Sequence, residues 1–412
     1  MKKLISLSLL FFLLGRVGAS SVQAQNSDRV SGQILVKFKQ GTSKEESFRQ
    51  VRAQKAQVLD KLEVLDVLVL RVPKILEGKV ISTLARNPLV EYAEPDYQVE
   101  AFFLPNDTYF SQRQWGFENT GQIINGVLGV IDADIDVPDA WDIIPGGVKV
   151  AVLDTGISQN HQELSSKVVN AKDFTGSGSG YEDVYGHGTH VAGIVAALTD
   201  NNMGVAGGCP GCELMNGKVL NDRGSGAYSW VANGIVWASD NGAKVINLSL
   251  GGSQKSLTLE RAVNYAWNKG SVLVAAAGNS NNPSKTYPAA YTNVIAVAAT
   301  NNQDTKAYFS SYGSKWVDVA APGEYIFSTW NDNSSPYNPQ PECDLTGCYK
   351  YASGTSMSTP MVSGVVGLVW ASPYGVSNSS VRGRIESTSD KIVGTGVYWS
   401  GGRVNAAKAV TP

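Results

Sequence analysis

The chain has 412 residues, of which 43% are hydrophobic and 17% charged, and its formal net charge at pH 7 is −2. This length allows one large domain and a smaller one, and the composition is that of a globular protein. So small a net charge provides neither the basic field that nucleic acid requires nor a polybasic patch for a lipid surface. We therefore expect no nucleic-acid partner.

The N-terminus has the pattern of a secretory signal peptide. Two lysines precede the apolar residues 4–14, which are too few to span a bilayer, and small residues follow. Cleavage after Ala24 would leave a polar mature end, and Ala19 is the alternative position. We expect a signal peptide over residues 1–24 and, since no second long apolar segment occurs, a secreted, extracellular protein without a membrane anchor.

The four cysteines lie in two close pairs, Cys209 with Cys212 and Cys343 with Cys348. In an oxidising compartment, two local disulfides are the simplest interpretation of this spacing. A four-thiolate zinc site and a redox-active dithiol at the first pair remain alternatives.

Residues 29 to about 100 have the pattern of a small α/β unit. Apolar segments predict strands, and charged segments that begin near Ser or Thr predict helices. Their order predicts two helices packed on one sheet, and the less regular residues that follow lead into a larger domain. The predicted strands cover 33–38, 67–72 and 90–99, the predicted helices 43–57 and 77–86, and the irregular stretch 102–141.

From residue 148 onward, short continuous apolar segments alternate with helical ones. This pattern predicts an α/β fold, a parallel twisted sheet with helices on both faces. Ligands bind such sheets beyond the carboxyl ends of the strands. The predicted strands cover 148–153, 245–250, 271–277, 293–299 and 316–320, and the predicted helices 187–197, 228–241, 257–269, 356–370 and 377–388.

Ser356 stands in the run Gly-Thr-Ser-Met-Ser-Thr-Pro, just before a small and apolar segment. Because Pro360 is tolerated only near a helix start, Ser356 is predicted there, where unpaired N–H groups and the helix dipole favour an anion. Taken alone, the run is equally consistent with a nucleophile and with a serine that caps the helix.

Asp154 directly follows the first strand of the large domain and could orient an imidazole, although a turn aspartate is the alternative. Of the three histidines, His187 opens a small-residue helix and can project past its end, which makes it the candidate base. His190 is predicted to pack inside, and His161 to be structural. A zinc site at His187 and His190 is not supported, because no glutamate stands between them and no third ligand is evident.

Asn279 follows three alanines and a glycine at the end of another predicted strand. Its amide, together with the backbone N–H of Ser356, would form a two-donor oxyanion hole. An ordinary turn residue is the alternative.

These four motifs, with Asp154, His187 and Ser356 in that order along the chain, resemble the signatures of the subtilisin-like serine proteases, the subtilase family. The resemblance covers nearly all of residues 104–412. It implies a serine endopeptidase that works through an acyl-enzyme, with Ser356 as nucleophile, His187 as base, Asp154 orienting the imidazole and Asn279 stabilising the oxyanion.

The resemblance also implies two edges between which a peptide lies as an added strand, and a P1 pocket walled by residues 275–278. Since no charged residue is evident among the pocket walls, we expect broad cleavage after apolar or aromatic residues. The implied substrate-binding residues are Gly224, Ser225, Gly226, Ser249, Leu250, Gly251, Ala276 and Gly278.

A strong calcium site of the family maps onto oxygen donors of this chain, the donor type that calcium prefers. Glu163 replaces the usual aspartate, and a solvated surface loop is the alternative interpretation. A second site expected after Asp173 lacks carboxylates. The implied ligands are Asp107, Glu163 and Asn201, with the carbonyl oxygens of Leu198, Met203 and Val205.

Residues 29 to about 100 resemble the inhibitor-like propeptide of the same proteases, which implies a ferredoxin-like α+β domain that serves as intramolecular inhibitor and folding aid. We expect a propeptide over residues 25–103 and a peptidase domain over 104–412, with self-cleavage between Glu100 and Asn106. The peptidase is expected to be a monomer that acts on proteins or peptides.

Two alternatives belong to other classes of function or mechanism. An inactive relative could bind peptides in the same groove, which the presence of every catalytic group disfavours. An acid-type relative would use a glutamate base, which the presence of His187 disfavours. An activity optimum well below about pH 5 would favour it, because a histidine base must be neutral to work.

Overall fold

A computed structural model describes residues 29–97, 104–332 and 341–411 of the chain. The chain divides into two compact units, residues 1–101 and 102–412. The predicted signal peptide and part of the predicted cleavage segment lie outside the described residues. Within the described ranges, no helix has the length and apolar character needed to cross a membrane.

The first unit contains six main elements: β1 (Arg29–Phe38), α1 (Lys44–Ala53), β2 (Gln57–Leu62), β3 (Val67–Arg71), α2 (Glu77–Ala85) and β4 (Val90–Tyr97). The strands form an antiparallel sheet in the order β2-β3-β1-β4. Alternate residues of β1, including Ile34 and Val36, are fully buried in the core of this unit. This is the ferredoxin-like arrangement that the resemblance implied.

One strand of this unit, β2, differs from the prediction, which placed a helix over 43–57. Helix α1 ends at Ala53, and Lys55 adopts a positive φ of 55° that turns the chain. A lysine gives no reason to predict a left-handed turn from the sequence, since this backbone conformation is mainly adopted by glycine, asparagine and aspartate. The helical prediction therefore ran on into the strand.

The second unit is built mainly from strands and helices that alternate along the chain. Its strands are β5 (Ile123–Ile124), β6 (Val127–Leu128), β7 (Lys149–Asp154), β8 (Val168–Asp173), β9 (Glu213–Lys218), β10 (Val245–Leu248), β11 (Val272–Ala276), β12 (Val294–Thr300), β13 (Val319–Pro322), β14 (Ile326–Trp330), β15 (Glu342–Asp344) and β16 (Gly347–Ala352). Its helices are α3 (Phe110–Arg113), α4 (Val137–Trp141), α5 (His187–Ala196), α6 (Tyr228–Asp240), α7 (Leu257–Asn268), α8 (Thr355–Ala371), α9 (Asn378–Thr388) and α10 (Ala406–Val410).

Seven strands form one parallel sheet in the order β13-β12-β11-β10-β7-β9-β8. In β7, Val150 and Val152 pack with α5, α8 and α9, whereas Ala151 and Leu153 pack with α6 and α7. Because successive side chains point to opposite faces, both faces of the strand are covered. The predicted parallel sheet with helices on both faces is confirmed.

Three strands of this sheet depart from the prediction. Strand β13 begins at Val319 rather than at 316, and β8 and β9 were not predicted. In β9, Asn216 and Lys218 are fully buried polar residues, and the side chain of Asn216 donates to the carbonyl of Tyr181 at 3.0 Å. Because a buried parallel strand is recognised in a sequence by a continuous apolar run, these buried polar residues kept β9 from being predicted.

Both cysteine pairs form disulfide bonds, Cys209 with Cys212 and Cys343 with Cys348. The second bond joins β15 to β16 in a small antiparallel sheet of order β14-β16-β15. The disulfide interpretation of the spacing is confirmed.

Candidate active site

Asp154 ends β7 at the carboxyl edge of the parallel sheet, and its side chain is fully buried. Its Oδ1 atom accepts a hydrogen bond from the backbone N–H of Thr155 and lies 2.7 Å from His187 Nδ1. With the proton on Nδ1, this hydrogen bond fixes the imidazole ring and leaves Nε2 as its basic nitrogen.

His187 is the first residue of α5, and a second buried carboxylate holds the turn that precedes it. Asp183 accepts hydrogen bonds from the backbone N–H groups of Gly186 and Thr189. Gly186 has a φ of 100°, and a Cβ there would overlap the ring of Trp330. Glycine is therefore required on both conformational and steric grounds.

The electrostatic surroundings of His187 favour its charged form. Burial lowers the pKa of the imidazole, but the charge of Asp154 and the hydrogen bond to it raise the pKa, and the net result lies above the ordinary value. A carboxylate partner of this kind stabilises an imidazolium formed during a reaction.

The other two histidines are buried, in agreement with their predicted structural roles. His190 Nε2 lies within hydrogen-bond distance of the carbonyl oxygens of Ile326 and Lys350, and burial lowers its pKa to about 3. His161 Nε2 lies 3.0 Å from the carbonyl of Cys348.

Ser356 is the second residue of α8, so its hydroxyl lies at the helix start as the sequence predicted. The hydroxyl donates to the carbonyl of Ser249 at 3.1 Å, and Ser249 Oγ donates back to the Ser356 carbonyl at 2.8 Å. Among the described residues, Ser356 makes no hydrogen bond to His187. The sequence could not reveal this side-chain orientation, which a rotation about the Cα–Cβ bond of Ser356 would change.

Asn279 is oriented by its contacts with the residue before the serine. Asn279 Oδ1 accepts hydrogen bonds from the backbone N–H of Thr355 at 2.9 Å and from its hydroxyl at 3.0 Å. With Oδ1 engaged, Nδ2 lies on the side of Gly354, where a Cβ would be only 3.2 Å away. Thr355 therefore aims the amide donor, a role that sequence reasoning missed although the residue stands within the Ser356 motif.

The two predicted substrate edges, residues 224–226 and 249–251, line one open cavity of about 450 Å³ together with His187. A second cavity, of about 410 Å³, is lined by Ala276, Gly278, Asn279 and Ser356. Because both cavities include Leu250 and Gly251, they adjoin. The structure thus brings together the predicted catalytic and substrate-binding residues. All of them line the two cavities except Asp154, which is buried and bound to His187.

The second cavity also has a charged lining residue, Lys285, outside the predicted and uncharged wall 275–278. Ala275 and Ala277 are fully buried in the protein core, so only alternate residues of the predicted wall face the cavity. Lys285 lies in the loop after the predicted wall 275–278. The sequence does not show that this loop returns to the cavity, because its path depends on tertiary contacts.

Lys218 is a further residue of the site that sequence reasoning missed. Its side chain is fully buried, and its ammonium donates to the carbonyls of Thr155 and Glu182 and pairs with Asp222 at 2.9 Å. These three partners lie next to Asp154, just before the turn at Asp183, and just before the edge 224–226. One buried cation therefore ties together the segments that carry the site.

The predicted calcium ligands are arranged around two buried carboxylates. Asp107 Oδ2 accepts the backbone N–H of Asp200 at 2.8 Å, whereas its Oδ1 is buried without a hydrogen-bond partner. Glu163 accepts hydrogen bonds from the Asn201 side chain at 2.9 Å and from the Val205 N–H at 3.2 Å. Burial raises the pKa of Asp107 to about 6 and that of Glu163 to about 7.

Other oxygen atoms at this site also lack partners. The carbonyls of Leu198, Met203 and Val205 accept no hydrogen bond from any residue that the structure describes. Unpaired carboxylate and carbonyl oxygens are the donors that fit a calcium ion. No group of three or more His, Cys, Asp or Glu side chains suited to a metal occurs in the described ranges. A cation here would therefore rely on amide and carbonyl oxygens as well.

Comparison with known proteins agrees with this fold. Residues 146–402 match the subtilase family, and residues 16–96 match the N-terminal prodomain of fervidolysin. The chain belongs to the subtilase family and is a serine endopeptidase with an N-terminal prodomain.

Its relatives include thermitase from Thermoactinomyces vulgaris, 49% identical over 309 residues, which cover 75% of this chain and 99% of thermitase. A thermophilic serine proteinase from Bacillus sp. (strain AK1) is 41% identical over 399 residues, covering 96% of this chain and 91% of the relative. Among solved structures, fervidolysin from Fervidobacterium pennivorans, a keratinolytic enzyme related to subtilisin, matches 94% of this chain and 62% of its own, with a TM-score of 0.63 and 27% identity.

Proposed function

We propose that the chain is a secreted, autoprocessed serine endopeptidase whose catalytic triad is Ser356, His187 and Asp154. The observation that carries this proposal is the 2.7 Å hydrogen bond between His187 Nδ1 and Asp154 Oδ1, because it prepares a base beside the cavities that Ser356 and the substrate edges line. The membership in the subtilase family supports the same assignment.

In this mechanism the Ser356 hydroxyl turns from the Ser249 carbonyl towards His187. Its oxygen attacks the scissile carbonyl carbon while His187 Nε2 takes the proton, and Asp154 stabilises the resulting imidazolium. His187 then gives the proton to the leaving amine. Water hydrolyses the acyl-enzyme by the same sequence of proton transfers and restores the Ser356 hydroxyl.

Two donors would stabilise the oxyanion of the tetrahedral intermediates. One is Asn279 Nδ2, which Thr355 orients, and the other is the backbone N–H of Ser356 in the first turn of α8. Donors that are already in place need no reorganisation as charge develops, which makes such a pair effective.

The substrate would lie as an extended strand between residues 224–226 and 249–251. Glycine at Gly224, Gly226 and Gly251 suits this role, because another backbone can approach closely where no Cβ intervenes. At Gly226 and Gly251 a Cβ would lie within 2.6 Å of a neighbouring atom of the protein itself, so these two positions are already closely packed.

A fluorophosphonate probe tests the proposed nucleophile. After removal of the prodomain, the probe is expected to label the chain at Ser356, as peptide mapping by mass spectrometry would show. Labelling should disappear in the Ser356→Ala variant. A folded, processed chain that resists the probe would instead be a peptide-binding relative without activity.

We expect broad specificity with apolar or aromatic residues at P1. The second cavity has room for a large side chain, and Ala276, Gly278 and Leu250 give it apolar and backbone walls. A peptide library varied at P1 measures this preference directly. A profile dominated by Arg or Lys would contradict the expectation.

We also propose that Asp107, Glu163 and Asn201, with the carbonyls of Leu198, Met203 and Val205, bind a structural calcium ion. The ion would balance two buried carboxylates and join the segment near Asp107 to the loop 198–205. The unpaired Oδ1 of Asp107 supports this proposal.

Removing calcium should lower the thermal stability of the processed enzyme. If free calcium exceeds its dissociation constant about 100-fold, the ion adds about 2.7 kcal/mol to the free energy of unfolding, which corresponds to roughly 4 °C in Tm for a domain of about 300 residues. Calorimetry with calcium, with magnesium and with a chelator measures the effect. The Asp107→Asn variant should lose most of the calcium-dependent increment, and an identical Tm in all three conditions would exclude the site.

The precursor is proposed to consist of a signal peptide (1–24), an inhibitory propeptide (25–103) and a peptidase domain (104–412), which acts as a secreted monomer on proteins or peptides. The match of residues 16–96 to a prodomain supports the propeptide. The self-cleavage is proposed to fall between Glu100 and Asn106.

A further inference from the structure

The second cavity, which is proposed to hold the P1 side chain (the P1 cavity), has one ionisable residue among its described lining residues, and the proposed mechanism does not use it. This residue, Lys285, lines the cavity beside apolar, hydroxyl and amide side chains and backbone. Lys285 is exposed and forms no hydrogen bond or ion pair with any residue that the structure describes. Its positive charge is therefore available to a substrate.

The loop that carries Lys285 is held in place, so the backbone of Lys285 has a defined position at the cavity. Segment 306–316 binds this loop at several points, through both backbone and side-chain groups. The hydrogen bonds are Asn281 N–H to the Phe309 carbonyl at 2.8 Å, Tyr312 N–H to the Asn282 carbonyl at 3.1 Å, Trp316 Nε1 to the Pro283 carbonyl at 3.1 Å and Lys306 Nζ to Asn281 Oδ1 at 2.8 Å.

The acidic residues nearest to Lys285 along the chain, Glu260 and Asp304, are each paired with another cation. The sequence contains no Asp or Glu between Glu260 and Asp304, and Glu260 is paired with Lys255 at 3.0 Å. Asp304 in turn is paired with Arg403 at 2.9 Å. Lys306 Nζ donates to Asn281 Oδ1 of the same loop at 2.8 Å and adds a second positive charge beside it.

The remaining polar groups of the cavity do not discriminate by charge. Thr286 lies close to both Gly251 and Gly278. A Cβ on Gly251 would be 2.5 Å from its Cγ2, and a Cβ on Gly278 would be 3.0 Å from its Oγ1. Ser311 also lines the cavity. Hydroxyl groups donate to a carboxylate and to an amide oxygen alike, whereas an ammonium favours the carboxylate.

We propose that Lys285 is a specificity-determining residue of the P1 pocket, which makes the enzyme prefer glutamate over glutamine at P1 and disfavour lysine and arginine. This proposal rests on the proposed peptidase function. It adds an order of preference among substrates with a charged or polar residue at P1. For one exposed charge, the preference for glutamate over glutamine should be about two- to fivefold in kcat/KM.

Four peptides that differ only at P1, with Glu, Gln, Lys or Met, test the proposal on the processed enzyme. The ratio of kcat/KM for Glu to that for Gln should be two- to fivefold in the wild type and close to one in Lys285→Met. In Lys285→Glu this ratio should fall below one, and the Lys peptide should be cleaved with a higher kcat/KM than the Glu peptide. Because exposed charges are screened by salt, the wild-type ratio should also shrink between about 0.02 M and 1 M NaCl.

Lys244→Met is the matched control, since this lysine is exposed and precedes the amino end of β10, whereas the cavity lies beyond the carboxyl ends of β10 and β11. It removes the same charge and should leave the Glu to Gln ratio as in the wild type. An equal ratio in the wild type and in Lys285→Met would overturn the proposal. Failure of the proposed function is distinct, because then none of the four peptides would be cleaved, or Ser356→Ala would cleave them equally well.

Discussion

Replacing Ser356 with alanine is expected to lower kcat for a peptide substrate by about 10⁶-fold, the loss measured for the nucleophile of subtilisin, another subtilase. The variant keeps the substrate edges and Asn279 but cannot form the acyl-enzyme. Steady-state assays on the folded, processed domain measure the effect, with the residual rate compared with that of buffer alone. A loss of less than about 100-fold would exclude Ser356 as the nucleophile.

The Ser358→Ala variant is the matched control for this experiment. Ser358 lies two residues further along α8, is fully buried, and its hydroxyl has no hydrogen-bond partner. Removing a buried, unpaired hydroxyl is expected to be neutral or stabilising, since no hydrogen bond is lost. Near wild-type activity in Ser358→Ala would assign the loss in Ser356→Ala to the nucleophile and not to a disturbed helix.

The same variant also tests how the precursor is processed. In a host without other proteases, the Ser356→Ala precursor should keep its propeptide, whereas the wild type should be cut between Glu100 and Asn106. Mass spectrometry of the intact proteins locates the cut. If both proteins lose the propeptide alike, another enzyme makes the cut, and the proposal of self-cleavage is wrong.

The Asp154→Asn variant is expected to lower kcat by about 10⁴-fold, because an amide can hold the imidazole in the wrong tautomer and cannot stabilise its cation. Since Asp154 raises the pKa of His187, the pKa should fall in the variant, and the acidic limb of the kcat/KM profile should move to lower pH. Stopped or continuous assays from pH 4 to 9 measure both effects.

Asp173→Asn provides the matched control for Asp154→Asn. Asp173 also ends a strand of the parallel sheet, β8, and its carboxylate accepts hydrogen bonds from Thr175 and Gly176 in its own turn. Its replacement should change neither the tautomer of His187 nor the pH profile. An acidic limb that stays in place in Asp154→Asn would contradict the electrostatic role of Asp154.

The fold was largely predictable because its main signals are local. Continuous apolar strands such as 148–153 alternate with helices, and this pattern alone indicates a parallel sheet. Strand β9 escaped prediction because Asn216 and Lys218 are buried there with hydrogen bonds to distant carbonyls. A sequence does not show which buried polar groups find partners.

The candidate site also has one part that local sequence predicts and one part that it does not. Asp154, His187, Asn279 and Ser356 stand in recognisable short runs, and each lies where its strand or helix ends. The orientation of the Ser356 hydroxyl towards Ser249 and the position of Lys285 in the proposed P1 cavity depend on contacts between segments far apart in the chain. Such contacts follow from the folded structure and have no local sequence signal.

The buried ammonium of Lys218 makes the active site a single cooperative unit. If the segment at Thr155, Glu182 or Asp222 opened alone, the cation would lose a partner while remaining out of water, which is costly. The three segments should therefore open together, with a common rate of amide hydrogen exchange. A protease arranged in this way exposes its own active-site loops to cleavage only in rare, concerted openings, so resistance to self-digestion follows from the same contact that aligns the site.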